Sequence, residues 1–201
     1  MNFLTKDKHN NIDEDLCSTL SYYKSLKDYR SGDDNLKYSD RLFFDFDIED
    51  SRVSKIKEDM SNLYKSDATS SEKSEQVLIL QEESRNFVLE EDILYDVYMK
   101  TIRLYDFMEM KLNLKPLLIF NGSKGFHINI FFRKMQLNQI SEINHRLFKV
   151  YKQKLSLKYL DEAVNKDAMG RSQRVQCVYH ASTGLLTQPM TDTCHMMMFW
   201  M

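Results

Sequence analysis

Two acidic side chains interrupt an apolar run early in the chain, Leu42-Phe43-Phe44-Asp45-Phe46-Asp47. Leucine and phenylalanine at this density favour an extended, buried strand. Side chains alternate between the faces of a strand, so Asp45 and Asp47 point the same way. A fold that buries this strand must hold two carboxylates side by side, where they repel each other and are poorly solvated. Buried acids are seldom left unpaired, so a cation belongs between them, and a divalent metal is the natural candidate. The plainer alternative is an edge strand with a wet polar face.

The chain has 201 residues, enough for one sizeable core or two small ones. With 42% hydrophobic and 29% charged residues, it reads as a soluble globular protein. No stretch approaches the roughly 20 apolar residues of a membrane span. The segment Met1 to Lys8 lacks the apolar core of a signal peptide. Three cysteines, Cys17, Cys177 and Cys194, form no CxxC pair, which fits a reducing, intracellular setting. The net charge of −2 hides an asymmetry. Residues 1–110 carry 15 Lys/Arg and 25 Asp/Glu, whereas residues 111–201 carry 13 and 5. Between Lys111 and Leu160 there are ten basic residues and one acidic residue, Glu142. A basic half suggests a polyanionic partner, and the competing explanation is a solvated helix face.

Residues 1–40 read as a polar extension with a helix from about Glu14 to Tyr29, bearing Leu16, Leu20, Tyr23 and Leu26. A core spanning 41–201 follows. Val53, Ile56, Met60 and Leu63 predict a helix over 51–64. The polar segment 66–75 reads as a mobile loop, and Val77 to Leu80 as a short strand. Helical spacing of Leu94, Val97, Tyr98, Leu104, Tyr105 and Met108 predicts a long helix from about Glu90 to Lys111, stopped before Pro116. Leu117 to Phe120 and Phe126 to Phe132 read as strands. A helix from about Asn138 to Leu155 is expected to turn Ile140, Ile143, Leu147, Val150 and Tyr151 inward, and Lys149, Lys152 and Lys154 outward. Arg174 to Tyr179 reads as a further strand. Strands and helices mix without a regular βαβ repeat, so the expected class is α+β.

The turn between the two middle strands reads Asn121-Gly122-Ser123-Lys124-Gly125-Phe126-His127. Its glycines permit a tight turn that aims N–H groups at an anion. Lys124 adds a point charge, Ser123 a hydroxyl, and His127 a donor for a phosphate oxygen. The spacing is not that of a P-loop, and a strand follows instead of a helix. A third segment begins Tyr159-Leu160-Asp161-Glu162-Ala163-Val164. It continues through Arg174-Val175-Gln176-Cys177-Val178-Tyr179-His180. It offers another carboxylate, then a cation and a histidine at the ends of a strand.

In this order the three segments resemble the catalytic core of archaeo-eukaryotic primases, the family of the small DNA primase subunit. The resemblance runs from about Arg41 to Leu185, most of the chain. It implies an RRM-like palm sheet facing a second small α/β unit, with the active site between them. It implies that Asp45, Asp47 and Asp161 bind two Mg²⁺ or Mn²⁺ ions. Asn121, Gly122, Ser123, Lys124, Gly125, His127, Arg174 and His180 would bind the nucleotide. The implied activity is template-directed nucleotidyl transfer that makes primers on single-stranded DNA from nucleoside triphosphates. A large primase subunit or other replication proteins are the implied partners, with no membrane. The implied location is cytoplasmic for an archaeal, plasmid or viral source and nuclear for a eukaryotic one.

The chain departs from the family pattern in places. Asn121 stands where serine is usual, and Gln176 and Val178 stand where proline and serine often occur. Cys177, His180, Cys194 and His195 are too irregularly spaced for a zinc site, so no structural zinc is expected. The apolar end, Cys194 to Met201, would pack on the core, meet a partner, or mark a truncated reading frame. Competing functions are a repair or translesion polymerase of the same superfamily and a catalytically inactive nucleic-acid-binding module. A rolling-circle nuclease would need a second histidine, which His127-Ile128-Asn129 lacks.

Overall fold

The apolar run around the two aspartates is a strand, as its composition predicts, and the strand is longer than the run. The computed structural model describes residues 17–19, 22–23, 25–31, 33, 37–48, 51–88, 91–161, 172–174, 176–180 and 182–190. In chain order the elements are β1 (Cys17–Thr19), β2 (Tyr22–Tyr23), α1 (Leu26–Ser31), β3 (Lys37–Asp47), α2 (Ser51–Lys65) and α3 (Ser70–Val88). They continue with α4 (Glu91–Leu112), β4 (Leu117–Phe120), β5 (Gly125–Gln136), α5 (Leu137–Leu155), β6 (Ser172–Arg174) and β7 (Gln188–Pro189). The fold is α+β. The main sheet has the order β2-β3-β5-β4-β7, and β1 and β6 form a separate ribbon. Every pairing is antiparallel.

The alternation of side chains divides the main sheet into two chemically different faces. Leu42, Phe44 and Phe46 of β3 join Leu118 and Phe120 of β4 and Phe126, Ile128 and Ile130 of β5 in the core. Helices α4 and α5 cover this face through Leu94, Val97, Tyr98, Leu104, Met108, Ile140, Phe148 and Tyr151. Ring contacts tie the layers together: Tyr98 to Phe126 at 5.6 Å and Phe44 to Tyr151 at 6.4 Å. The opposite face carries Phe43, Asp45, Asp47, His127 and Asn129. Phe43 and Asn129 are buried there too, so this part of the sheet is covered on both sides.

Five local expectations are corrected. The expected helix from Glu14 to Tyr29 is replaced, within the described residues, by β1, β2 and the short α1. Ser18, Thr19, Tyr22 and Tyr23 suit strands, and pairing with β6 and β3 overrides any local helical preference. The polar segment 66–75 is irregular only up to Thr69, and Val77 to Leu80 lie inside α3 and not in a strand. The cause is a capping box. The Thr69 N–H donates to Glu72 Oε2 at 2.9 Å, and the Glu72 N–H donates back to Thr69 Oγ1 at 3.4 Å. The Thr69 hydroxyl also donates to Glu72 Oε2, at 2.7 Å, and this bond first, then the backbone N–H bond, holds the Glu72 carboxyl below its usual range.

Helix α5 is rotated from the expected face. Leu137, Ile140, Asn144, Phe148 and Tyr151 are buried, while Ile143 and Val150 are exposed. The aromatic rings of Phe148 and Tyr151 bury more apolar area than isoleucine and valine, and they set the phase. Of the last expected strand, Arg174 to Tyr179, only Arg174 lies in a strand among the described residues, at the end of β6 (Ser172–Arg174), and Tyr179 makes an isolated bridge to Leu186. No helix among the described residues is long and apolar enough to cross a membrane. The apolar end, Cys194 to Met201, lies outside the described residues.

The capping box makes a direct prediction. In hydrogen-exchange mass spectrometry, amides of the first turns of α3 are protected in the wild type, and Thr69→Ala speeds their exchange. Amides over 73–77 that already exchange at the unprotected rate in the wild type would contradict the helix.

Candidate functional site

The site is built by the register of β3 against β5. Asp45 lies opposite His127, and Asp47 lies opposite Gly125. Cross-strand partners share a face, so both carboxylates meet the side chains of the Asn121–His127 turn. Gly125 is required by this approach. A Cβ there would collide with the Phe46 carbonyl oxygen and the Asp47 carboxylate.

Each carboxylate has its own contacts. His127 Nε2 lies 3.3 Å from Asp45 Oδ1, close enough for electrostatic contact but not aligned for a hydrogen bond. The Nζ of Lys124 lies 3.4 Å from Asp47 Oδ2 and donates to the Ile48 carbonyl at 2.8 Å. Asn121 Nδ2 donates to Asp47 Oδ1 at 2.9 Å. Burial and the neighbouring Asp45 push the Asp47 carboxyl above its usual range, opposed by Lys124, His127 and Asn121. Asp47 nevertheless keeps 24% of its side-chain surface in contact with solvent.

Asn121 is the brace of the turn. Its Oδ1 accepts from the N–H of Ser123 at 2.9 Å and of Gly125 at 3.2 Å, while its Nδ2 holds Asp47. Those two N–H groups therefore point at the asparagine side chain, not at an anion as the glycine spacing suggests. Gly122 has a positive φ of 76° that favours glycine. A Cβ on it would lie 2.8 Å from the Leu185 carbonyl oxygen and 3.1 Å from His180 Cβ.

The C-terminal segment is docked on the same turn. Thr183 Oγ1 donates to the Gly122 carbonyl, and Thr187 Oγ1 donates to the Asn121 carbonyl at 3.2 Å. This brings His180 against the turn. The Ser182 N–H donates to His180 Nδ1 at 3.1 Å, which places the proton of a neutral imidazole on Nε2.

Asp161 lies beside Asp45. Its N–H donates to the Asp45 carbonyl at 2.8 Å, and the Asp47 N–H donates to the Tyr159 carbonyl at 3.0 Å. The bridge between Phe46 and Leu160 puts Asp161 at the register position opposite Asp45. Among the described residues, no three His, Cys, Asp or Glu side chains gather closely enough to hold a metal. The donor chemistry at Asp45 and Asp47 does fit a hard divalent cation: two adjacent carboxylates, one with a buried oxygen lacking a hydrogen bond among the described residues. The backbone of Arg174 pairs with Cys17. The Arg174 side chain lies outside the described residues.

Two site residues escaped the sequence reading. Gln173, on β6, is buried, with its Nε2 3.5 Å from His127 Nδ1. Asn129 is 1% exposed, and neither its Oδ1 nor its Nδ2 has a hydrogen-bond partner among the described residues. The signal for Asn129 was available, because His127-Ile128-Asn129-Ile130 alternates polar and apolar residues. The structure also separates two features that sequence alone leaves together. The basic helix α5 packs on the sheet face opposite the acid pair. Compared with protein-family models, curated proteins and solved structures, the chain matches none.

Two variants test this geometry. Asn121→Ala removes the acceptor of two buried N–H groups, each costing about 1–3 kcal/mol when left unpaired. Denaturant unfolding should show a loss of at least about 1 kcal/mol, and unchanged stability would remove Asn121 from its bracing role. Asp47→Asn should act in the opposite direction. A carboxylate with a raised folded pKa costs stability once it ionises, so the cost appears as pH rises from the unfolded value through the folded one. The variant should therefore melt higher than wild type at pH 8, by about 2–4 °C for each kcal/mol relieved. The difference should vanish on acidification below the ordinary carboxylate range. A lower melting temperature at pH 8 would contradict the assigned direction.

Proposed function

We propose that the chain is a nucleotidyltransferase acting on nucleic acid, a primase or primase-polymerase that joins nucleoside triphosphates on a single-stranded DNA template. One observation carries the reading. The acid pair of β3 is locked, strand to strand, onto a glycine turn that presents Lys124 and His127, with His180 docked beside it from the C-terminal segment. This arrangement places metal-type donors beside phosphate-type donors, as phosphoryl transfer requires.

Asp45 and Asp47 would hold a Mg²⁺ or Mn²⁺ ion, and Asp161, at the adjoining register position, would turn toward them to serve as the third carboxylate once the ion binds. A bound divalent ion would supply neutralisation of charge on the attacking and leaving oxygens. The remaining roles belong to the chain's own side chains. Asp45 and Asp47, when ionised, supply the negative charge that makes the site a cation site. Lys124 has a flexible stem and can turn from Asp47 toward a phosphate oxygen. His180 offers its Nε2–H to the same anion, and Ser182 keeps that proton in place. His127 is held between Asp45 and Gln173, so its ring is oriented before substrate arrives. Asn121 and Gly125 keep the carboxylate pair and the phosphate donors in register.

The test is incorporation of labelled nucleotides on an unprimed single-stranded template with Mg²⁺ or Mn²⁺. Wild type is expected to make short products, and Asp45→Ala/Asp47→Ala to fall to background. Extension restricted to primed templates would favour the repair polymerase. Equal signal from both proteins would reject the site.

A further inference from the structure

We infer that Phe131 and Arg41 form a stacking platform on which a base of single-stranded nucleic acid sits as the strand approaches the acid pair. The choice of polymer rests on the function proposed above; the platform itself rests on separate observations. Arg41 lies opposite Phe131 in the same unbroken register that sets Asp45 opposite His127. All four side chains therefore share one face. Asp45 lies four positions along the strand from Arg41, about 13 Å.

Exposure changes abruptly along this face. Phe43, His127 and Asn129 are buried, yet Phe131 is 51% exposed. The cover over the sheet thus ends between Asn129 and Phe131, and the face opens there. At the opening the Arg41 guanidinium lies 5.0 Å from the centre of the Phe131 ring. Asp40 steadies it through a 2.9 Å contact to Nε. A guanidinium over a phenyl ring offers two planar surfaces on which bases stack irrespective of sequence.

Charge selects a polyanion over an apolar protein partner. Arg133, two residues further along β5 and therefore on the same face as Phe131, is exposed and adds a second guanidinium beside the platform. Asn129, whose amide has no partner among the described residues, lies between the platform and His127 on the path toward the carboxylates. A strand that stacks on Phe131 would be led along this face to the site.

The experiment measures anisotropy of a fluorescein-labelled oligothymidylate with full-length protein. Phe131→Ala should weaken binding about 5- to 150-fold, the equivalent of about 1–3 kcal/mol per stacked base. Phe131→Tyr should restore it. Arg41→Gln should weaken binding and reduce its salt dependence by about one counterion. A Phe131→Trp variant, made in a Trp200→Phe background, should lose fluorescence when the oligonucleotide binds. Because the side chain is half exposed, Phe131→Ala should retain the wild-type melting temperature, which separates stacking from folding. Wild-type affinity in Phe131→Ala, unchanged indole fluorescence of the Phe131→Trp variant on saturation, or no oligonucleotide binding by wild type would each overturn the platform. Binding that depends on Phe131 in a protein with no metal-dependent incorporation would overturn the nucleotidyl-transfer reading and leave the platform standing.

Discussion

Everything at the site depends on one strand register. The antiparallel pairing of β3 with β5 sets Asp45 against His127 and Asp47 against Gly125. It works only because residue 125 has no side chain to strike the Phe46 carbonyl and the Asp47 carboxylate. A slip of one residue would exchange the two faces of β3. The phenylalanines would then meet the turn, and the carboxylates would enter the apolar core. Helices α4 and α5 hold the register from the core side, where Tyr151 of α5 meets Phe44 and Tyr98 of α4 meets Phe126.

That register also concentrates strain of an electrostatic kind. Asp47 is pushed toward its protonated form by burial and by Asp45, while Lys124, His127 and Asn121 resist. A protein selected for stability alone would have little reason to keep two acids there. A cation site there would account for the local cost, and the surrounding apolar layer, with Phe44, Phe46 and Phe126 fully buried, sustains it. The turn is similarly specialised. Asn121 uses both ends of its amide, joining the turn's backbone to Asp47.

The central features were legible in the sequence because they rest on local periodicity. The alternation through Phe44-Asp45-Phe46-Asp47 places both acids on one face, and the spacing in α4 identifies its buried stripe. The α+β class also agrees with expectation. What escaped was set by partners distant in sequence. β1 and β2 exist through pairing with β6 and β3. The phase of α5 follows from which side chains fill the space beneath Phe44. The start of α3 was legible in Thr69 and Glu72, but a polar composition concealed the capping box. Asn121 could be recognised as a turn residue, whereas its bond to Asp47, 74 positions away, could not.

The central claim is that Asp45 and Asp47 form a divalent-cation site facing a phosphate-binding turn. Anomalous scattering from crystals of the full chain grown with Mn²⁺ and a non-hydrolysable nucleoside triphosphate tests it most directly. The account predicts an anomalous peak within coordination distance of both carboxylates, with the triphosphate against Lys124 and His180. A peak elsewhere, or none while Lys124 and His127 keep their contacts with the two aspartates, would contradict it.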